Sequence, residues 1–269
     1  MSSAPPTTRT RSRVSLPSSV VLSALEFDVL WASQRFPRRH IALDVPSPGA
    51  THTERAQLVG EAWASLAERG LANGTRPDSE LVDQLALLAN PKQAVDIWVW
   101  TDREIRGLSV SAGGSALLAV VDSGQVWLIP ARPSSFVASA VSVAGECPPG
   151  GGRSVSLPLD TLRAADEEVG GDPAKLIIAL ERRGVALADA QELAGMFTGI
   201  LTRGQFGAEL TLRDGRVRRA DRVVAFHDTE WGRYLFAVRR SADGTPWATV
   251  VPANNARIAE NVAELLDEL

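Results

Sequence analysis

The chain has 269 residues, of which 45% are hydrophobic and 22% charged, a composition typical of a soluble globular protein with a sizeable core. Its 28 Lys and Arg against 32 Asp and Glu give a formal net charge of -4, which excludes a whole-chain positive field for a polyanion such as DNA. Cys147 is the only cysteine, which excludes an intramolecular disulfide and any multi-thiolate metal site within one chain. Because no run of about 18 apolar residues occurs, we expect a cytoplasmic protein without membrane insertion.

The first elements in chain order are a tail and three helices. In residues 1–20 arginines precede a mildly apolar run, as in a secretory signal, but serines and a proline break that run, so we expect a disordered tail. Ser23 with Glu26, and Thr51 with Glu54, have the spacing of capping boxes and predict the starts of two helices. A third helix is predicted over "PDSELVDQLALLANP", with its first proline in the first turn.

From Val95 the apolar period changes to two. The stretch "VDIWVWTDREIRGLSVSAGGSALLAVVDSGQVWLIPA" contains four apolar runs separated by short turn signals, which predicts an antiparallel meander. A helix over "PSSFVASAVSVAGE" and a Pro/Gly linker at residues 147–155 follow.

The second half repeats this order, with three helical stretches, four strand-like runs and a closing helix. A strand-Pro-helix exit ends both meanders, and Pro130 and Pro252 mark it at an offset of 122 residues. We therefore predict an α+β fold with two related halves, residues 21–146 and 156–269, in one domain over residues 21–269. Two separate domains would each leave an exposed sheet edge, so we expect one central, largely antiparallel sheet flanked by helical bundles.

Motifs for enzymatic chemistry are missing from the sequence. Neither a phosphate-binding P-loop nor a dinucleotide fingerprint occurs. The histidines His40, His52 and His227 are far apart, and the candidate metal cluster "HDTE" (227–230) is better explained as the start of a hairpin turn. We expect no enzymatic activity and no cofactor.

Arginines are concentrated in residues 216–240, which raises the possibility of a nucleic-acid groove. Alternate residues of a strand share a face, so Arg216 and Arg218 point one way and Arg219 the other, and no single basic stripe results. Interspersed acids dilute the charge further. A nucleic-acid-binding regulator that uses this Arg-rich sheet is the alternative function, although no nucleic acid is expected as a partner.

The strand "DIWVW" is more informative about function. Ile97 and Val99 share one face, so Trp98 and Trp100 share the other face with Asp96. Two interpretations fit this tryptophan face: burial under a helix, or a protein-binding platform, since Trp and Arg are enriched in interfaces.

Two pieces of the second half are the most specific in the chain, "GQFGA" (204–208) and "VVAFHDTEWGRYL" (223–235). With "WATVVPANNARIAENVAELL", "LSALEFDVLW" and "VPSPGATHTERAQL", they cover nearly the whole chain after the tail. On these motifs the chain resembles the EspG family of type VII (ESX) secretion-associated proteins.

The resemblance implies a cytosolic chaperone that binds the helical tip of the PPE subunit of a PE/PPE heterodimer, keeps the heterodimer soluble and directs it to the secretion machinery. It also implies a fold with a central, largely antiparallel sheet, flanking helical bundles and two pseudo-twofold-related halves. The binding surface that it implies is formed by the sheet, a loop of the first meander and the C-terminal helical bundle. The first meander here has tight turns at "WTDRE" and "VSAGGSA", so a contact from a longer loop is not expected. The candidate contact residues are aromatic, arginine and amide side chains of the two meanders: Trp98, Trp100, Arg103, Arg106, Gln205, Phe206 and Trp231. For Phe206 and Trp231 the alternative is that they close the core.

Overall fold

A computed structural model describes residues 19–269, and every structural statement below refers to that part of the chain. Residues 1–18 of the predicted tail lie outside the described residues. Val20, the last residue of the predicted tail, begins a strand. The described helices include none that is both long and apolar enough to span a bilayer.

The first half runs from a short strand through three helices to a meander. Its elements are β1 (Val20–Ser23), α1 (Ala24–Ser33), α2 (His52–Glu68), β2 (Ala72–Asn73), β3 (Arg76–Pro77), α3 (Ser79–Ala89), β4 (Gln93–Trp100), β5 (Glu104–Ala112), β6 (Ser115–Asp122), β7 (Gln125–Ala131) and α4 (Phe136–Ser142).

The second half repeats that order. Its elements are β8 (Val155–Pro158), α5 (Leu159–Val169), α6 (Pro173–Glu181), α7 (Leu187–Met196), β9 (Ile200–Thr211), β10 (Val217–Arg219), β11 (Val224–Thr229), β12 (Gly232–Arg240), β13 (Pro246–Pro252) and α8 (Asn255–Asp267).

The two meanders join into one 11-stranded sheet, as the sequence predicts. The strand order is β1-β7-β6-β5-β4-β9-β11-β12-β13-β8, with β10 paired to β9 off this path. Strands β4 and β9 pair antiparallel at the centre, with Ile97 opposite Phe206. Counted outward from this central pair, both halves have the same strand order. The meander strands come first, and the first strand of each half, β1 or β8, lies at the outer edge of the sheet. All pairings along this path are antiparallel, which confirms the predicted α+β fold class.

The helices cover the two faces of the sheet differently. On one face, α4 and α8 pack over side chains such as Ile97, Phe206 and Val224. The other face, called the bundle face here, carries α1–α3 over Leu108 and its neighbours, and α5–α7 over Val250 and its neighbours. Burial of these apolar surfaces gives three core clusters and is the main source of stability.

The predicted helix starts are confirmed in one case fully and in the other in part. Ser23 Oγ accepts from Glu26 N (3.1 Å) and Glu26 Oε2 accepts from Ser23 N (2.7 Å), which completes a capping box for α1. At α2, Thr51 Oγ1 accepts from Glu54 N (3.2 Å), but the Glu54 carboxylate accepts from Ala50 N (2.8 Å), one residue earlier than in the standard motif.

Three details of the predicted element pattern are wrong. Strands β1 and β8 are missing from the predicted elements, because four residues each are too few to show a period of two. Pro77 lies in β3 instead of the first turn of α3, because Asp78 caps that helix with its Oδ1 on Glu80 N (2.9 Å). In the second half the sequence predicts four strand runs that start at Gly207, with one run between the turns at 214–215 and 230–232. Strand β9 instead begins at Ile200, and that one run divides into β10 and β11.

Arg233 fastens the linker between the halves to the second meander. Its side chain is fully buried, and it forms a two-point ion pair with Asp228 (Nε–Oδ1 2.6 Å, Nη2–Oδ2 2.8 Å). It also donates to Ala144 O (2.7 Å) and Gly145 O (3.1 Å), just after the end of α4. The backbone of Arg233 exchanges two hydrogen bonds with Pro148 and Gly150.

Candidate functional site

An uncovered strip runs along the bundle face between the two helical bundles. It is formed by β4, β9, β11 and β12, and two adjoining hollows of about 930 and 1350 Å³ open onto it. We call this strip with its hollows the central groove. Both hollows are lined by Leu159, Arg163, Gln205, Ala225 and Phe236, so they are continuous with each other.

Trp98 and Trp100 lie on the bundle face of β4, at the first-half side of the central groove. Their rings stack, with centroids 6.3 Å apart and planes at 20°. Trp98 Nε1 donates to Asp96 Oδ1 (3.1 Å), and Trp100 Nε1 donates to Glu104 Oε2 (3.2 Å). Trp98 is partly exposed, and Trp100 is 38% exposed and lines the smaller hollow. The tryptophan face is therefore open to a partner instead of being covered by a helix.

The two candidate arginines of the first meander are already engaged within the chain. Arg103, in the turn after β4, pairs with Asp122 (Nε–Oδ1 2.7 Å, Nη2–Oδ2 3.0 Å). Arg106 stands over the Trp98 ring at 5.9 Å and donates to Asp44 O (2.8 Å) in the loop before α2. Arg106 therefore supports the Trp98 side of the groove, whereas Arg103 stiffens the turn.

The candidates of the second half lie in three different environments. Gln205 is opposite Trp98 in the β4–β9 register, on the floor of the central groove. Phe206 points to the other face, is fully buried and stacks on Phe226 (5.8 Å), so it lies in the core beneath α4 and α8. Trp231, in the β11–β12 turn, is 73% exposed and does not line either hollow.

Two groove residues escape the sequence-based prediction. Arg163, on α5, lines both hollows, and Arg203, on β9 opposite Trp100, lines the smaller one. Within residues 19–269 neither guanidinium has an ion-pair or hydrogen-bond partner. The groove thus combines apolar side chains and these two unpaired guanidinium groups with the other arginines and the acids that line the larger hollow. The only sequence signal for Arg203 is its place two residues before Gln205 on the same strand face.

The glycines of "GQFGA" allow close approach on both faces of the sheet. A Cβ on Gly204 would lie 2.2 Å from the Phe226 ring. A Cβ on Gly207 would lie 2.3 Å from Asp96 Oδ2 and 2.5 Å from Arg219 Nη2. The second glycine therefore makes room for the ion pair under the tryptophans, in which Arg219 Nη2 is 2.9 Å from Asp96 Oδ2.

His40, Asp96 and Glu209 bring ligand-type atoms within 4.8 Å of one another, but the cluster does not fit a metal ion. Arg219 already binds Asp96 (2.9 Å) and Glu209 (2.7 Å) with its guanidinium. His40 Nδ1 accepts from Ala42 N (3.1 Å), so Nε2 carries the proton and faces Glu209 Oε1 at 3.4 Å. The hydrogen bond from His40, together with Arg219, lowers the pKa of Glu209 although burial acts the other way. The cluster is an ion-pair network that fastens the loop before α2 to the sheet.

The "HDTE" stretch does not form a metal site. His227 and Asp228 are consecutive on β11 and point to opposite faces, and Asp228 is occupied by Arg233. His227 Nε2 donates to Met196 O (2.8 Å), and the ring stacks between Phe197 (5.1 Å) and Tyr234 (5.4 Å). Burial lowers the pKa of His227, so the ring is a neutral wall of the central groove.

Arginines of the Arg-rich stretch are largely neutralised. Arg216 pairs with Asp214, Arg219 with Asp96 and Glu209, Arg222 with Glu268, and Arg239 with Glu264. A surface that binds phosphates needs free cations along one path. The arrangement therefore does not favour the nucleic-acid interpretation.

Comparison with known proteins agrees with this architecture. The sequence profile of the EspG family matches residues 23–264, so the chain belongs to the EspG family. The chain is also similar in structure to the Mycobacterium tuberculosis type VII secretion system chaperone EspG5, solved in complex with a PE25-PPE41 dimer. The TM-score is 0.74 at 15% sequence identity, over 94% of this chain and 97% of that chain, which shows the same fold. No curated protein sequence matches the chain.

Proposed function

We propose that this protein is a cytosolic chaperone of type VII secretion, and that its central groove binds the helical tip of the PPE subunit of a PE/PPE heterodimer. Membership of the EspG family supports the class of function. The similar EspG5 chain was solved with a PE25-PPE41 dimer, which supports the class of partner. The observation that carries the proposal is the uncovered strip of sheet that the tryptophan pair and the α5–α7 bundle enclose.

The groove has the size and chemistry of a polypeptide site. Ligand pockets for small molecules are roughly 300–1,000 Å³, and the larger of the two continuous hollows alone is about 1350 Å³. Its walls combine apolar side chains such as Trp100, Leu159 and Phe236 with the amide of Gln205. The apolar end of a helical hairpin fits such a surface, because both sides remove apolar area from water.

Chaperone action follows from this coverage without covalent chemistry. A free tip exposes a contiguous apolar patch, which is an aggregation hazard. The groove covers that patch while the rest of the heterodimer stays in water. Arg163 and Arg203 add selection, since they favour a tip that carries a carboxylate and disfavour one that carries a cation.

Co-expression with PE/PPE pairs, one from each type VII secretion system, followed by size-exclusion chromatography, tests the proposal. We expect co-elution with one pair, and no change when nucleotides or metal ions are added. Failure of every pair to co-elute would contradict the chaperone function. Retention on DNA that weakens steeply with salt would support the nucleic-acid alternative instead.

A further inference from the structure

An ion pair crosses strand β9 beneath the tryptophan pair and joins two strands that are not neighbours in the sheet. Arg219 lies on β10, which pairs with β9, and Asp96 lies on β4, on the other side of β9. Arg219 Nη2 nevertheless reaches within 2.9 Å of Asp96 Oδ2. The crossing passes Gly207, the residue of β9 opposite Asp96, where a Cβ would lie 2.5 Å from Arg219 Nη2. Because glycine has no side chain, the guanidinium can cross the strand at this position.

Asp96 depends on Arg219 for its charge balance. The residue is almost fully buried, with 1% of its surface exposed. Among residues 19–269, Arg219 is the one arginine or lysine that forms an ion pair with Asp96, and no other described residue donates to Asp96 Oδ2. A buried carboxylate without a cation is strongly unfavourable. Without Arg219, the carboxylate would therefore leave its present position.

The other oxygen of Asp96 holds the first tryptophan. Trp98 Nε1 donates to Asp96 Oδ1 at 3.1 Å. The indole N–H of a partly buried tryptophan needs such a partner, and the partner restricts the orientation of the ring. Trp98 in turn stacks on Trp100, with ring centroids 6.3 Å apart, and Trp100 lines the central groove. One line of contacts therefore leads from Arg219 through Asp96 and Trp98 to the wall of the groove.

A second carboxylate fixes the position of Arg219. Glu209 is directly opposite Arg219 in the β9–β10 register, and its Oε1 atom is 2.7 Å from Arg219 Nη1. Burial lowers the pKa of Arg219, but the hydrogen bonds and charges of Asp96 and Glu209 outweigh burial and raise it. Because Nη1 and Nη2 each have their own carboxylate, the planar guanidinium bridges the strands in one orientation.

We propose that Arg219 is a positioning residue of the central groove: it orients Asp96 so that Trp98, and with it Trp100, is held in one orientation before a partner binds. A wall that is already ordered loses less side-chain entropy when a partner binds to it. The proposal describes how the free protein holds the tryptophan pair, and it rests on the proposed function for its effect on binding alone.

The indole N–H signal of Trp98 in the unbound, ¹⁵N-labelled protein tests the proposal, and its loss in Trp98→Phe identifies it. We expect Arg219→Met to shift this signal upfield and to speed its exchange with water, because the N–H loses its carboxylate acceptor. Arg219→Lys keeps a cation between the two carboxylates and should leave the signal near its parental position. Arg216→Met is the control, since it removes the same charge just before β10, where Arg216 pairs with Asp214.

A second set of variants avoids a buried carboxylate without a cation. In Asp96→Asn the single amide oxygen can face either Arg219 or the indole, and the charged donor should take it because its hydrogen bond is the stronger. The Trp98 signal should therefore shift in D96N. It should return in D96N/R219M, where the amide oxygen is free to accept from the indole.

An unchanged Trp98 signal in folded Arg219→Met would overturn the proposal, as would equal shifts in Arg219→Met and Arg219→Lys. If Arg219→Met does not fold, the second set decides. An unshifted signal in D96N, or a shift that remains in D96N/R219M, would then show that Arg219 does not orient the group at position 96.

Calorimetric titration with the co-eluting PE/PPE heterodimer adds the functional readout. We expect Arg219→Met to weaken binding roughly fivefold to tenfold, since both indoles must then be ordered on binding, and Arg219→Lys to bind nearly like the parent protein. A shifted Trp98 signal with unchanged affinity would also overturn the proposal, because the order of the tryptophans would not serve binding. If no PE/PPE pair binds at all, the proposed function fails, and the indole signals of the free protein still decide whether Arg219 positions the tryptophans.

Discussion

Arg233, which is fully buried, and Asp228, which is partly buried, face each other on β12 and β11 as a two-point ion pair, with contacts of 2.6 and 2.8 Å. The same guanidinium donates to carbonyls just after the end of α4 and to the Asn255 side chain at the start of α8. One side chain therefore connects the second meander, the linker and both helices of that face.

Replacing Arg233 with Met should destabilise the fold by about 3–5 kcal/mol, because it leaves a partly buried carboxylate and the carbonyls after α4 without partners. Urea denaturation of the isolated protein measures this. Arg239→Met is the matched control, since the Arg239–Glu264 pair on the neighbouring surface is more than half exposed and should contribute at most about 1 kcal/mol. Equal losses in the two variants would show that the buried pair has no special role.

Gly207→Ala should also destabilise the protein, by about 1–3 kcal/mol, because a Cβ there would overlap the Asp96–Arg219 pair beneath the tryptophans. Thermal denaturation provides the measurement. Gly60→Ala is the control: Gly60 lies inside α2, and a Cβ added there would have no atom within 4 Å, so the same change should stabilise by about 0.5–1 kcal/mol. A neutral Gly207→Ala variant would mean that the strands separate easily at this point.

Local periodicity was sufficient to predict much of the fold. The period of two in "DIWVW" places Trp98 and Trp100 on the same face as Asp96, and the structure confirms it. Likewise, the repeated order of elements predicts a single sheet, since each isolated meander would have an exposed edge. Four-residue strands such as β1 carry too little pattern to be recognised before the partner strand is known.

The candidate site depends on contacts that are distant in sequence, and prediction succeeded less well there. The sequence puts Gln205 and Phe206 on opposite faces of a strand, but it does not tell which face helices cover. It therefore leaves open whether Phe206 is a contact residue or part of the core, and the structure places it in the core. Arg163 enters the groove from α5, far from both meanders along the chain. No local pattern distinguishes it from an ordinary exposed helix residue.

The pH dependence of stability should include a contribution from His227. Burial is the main cause that lowers its pKa below 6.5, with Arg203 acting in the same direction and Asp228 and the Met196 carbonyl in the opposite one. The unfolded chain therefore binds a proton that the folded chain does not, so stability is complete above pH 6.5 and falls as the pH decreases below that value.

His227→Gln keeps a donor for the Met196 carbonyl and removes this titration. Between about pH 7.5 and pH 5.5, the variant should lose less unfolding free energy than the parent protein. His52→Gln, at an exposed position at the start of α2, is the control. A parallel pH dependence in the parent and the His227 variant would contradict the assignment of a buried neutral imidazole.

The free arginines of the groove should act on the rate of association. Arg163→Glu and Arg203→Glu should slow association with the PE/PPE partner at low salt, and the difference should shrink at high salt as the charges are screened. Stopped-flow fluorescence of the tryptophans measures the rate. Arg76→Glu, exposed on β3 outside the groove, makes the same change in net charge and should leave the rate nearly unchanged. Equal slowing by all three variants would indicate net charge alone.

The most direct measurement compares two tryptophans of nearly equal exposure on opposite faces of the sheet. Trp100 (38% exposed) lines the central groove, and Trp127 (40% exposed) lies on the α4/α8 side of β7, away from it. Calorimetric titration with the co-eluting PE/PPE heterodimer should show a loss of at least about 2 kcal/mol, roughly thirtyfold in Kd, for Trp100→Ala. Trp127→Ala should bind like the parent protein. Unchanged affinity of the Trp100 variant, or an equal loss in the Trp127 variant, would contradict binding in the central groove.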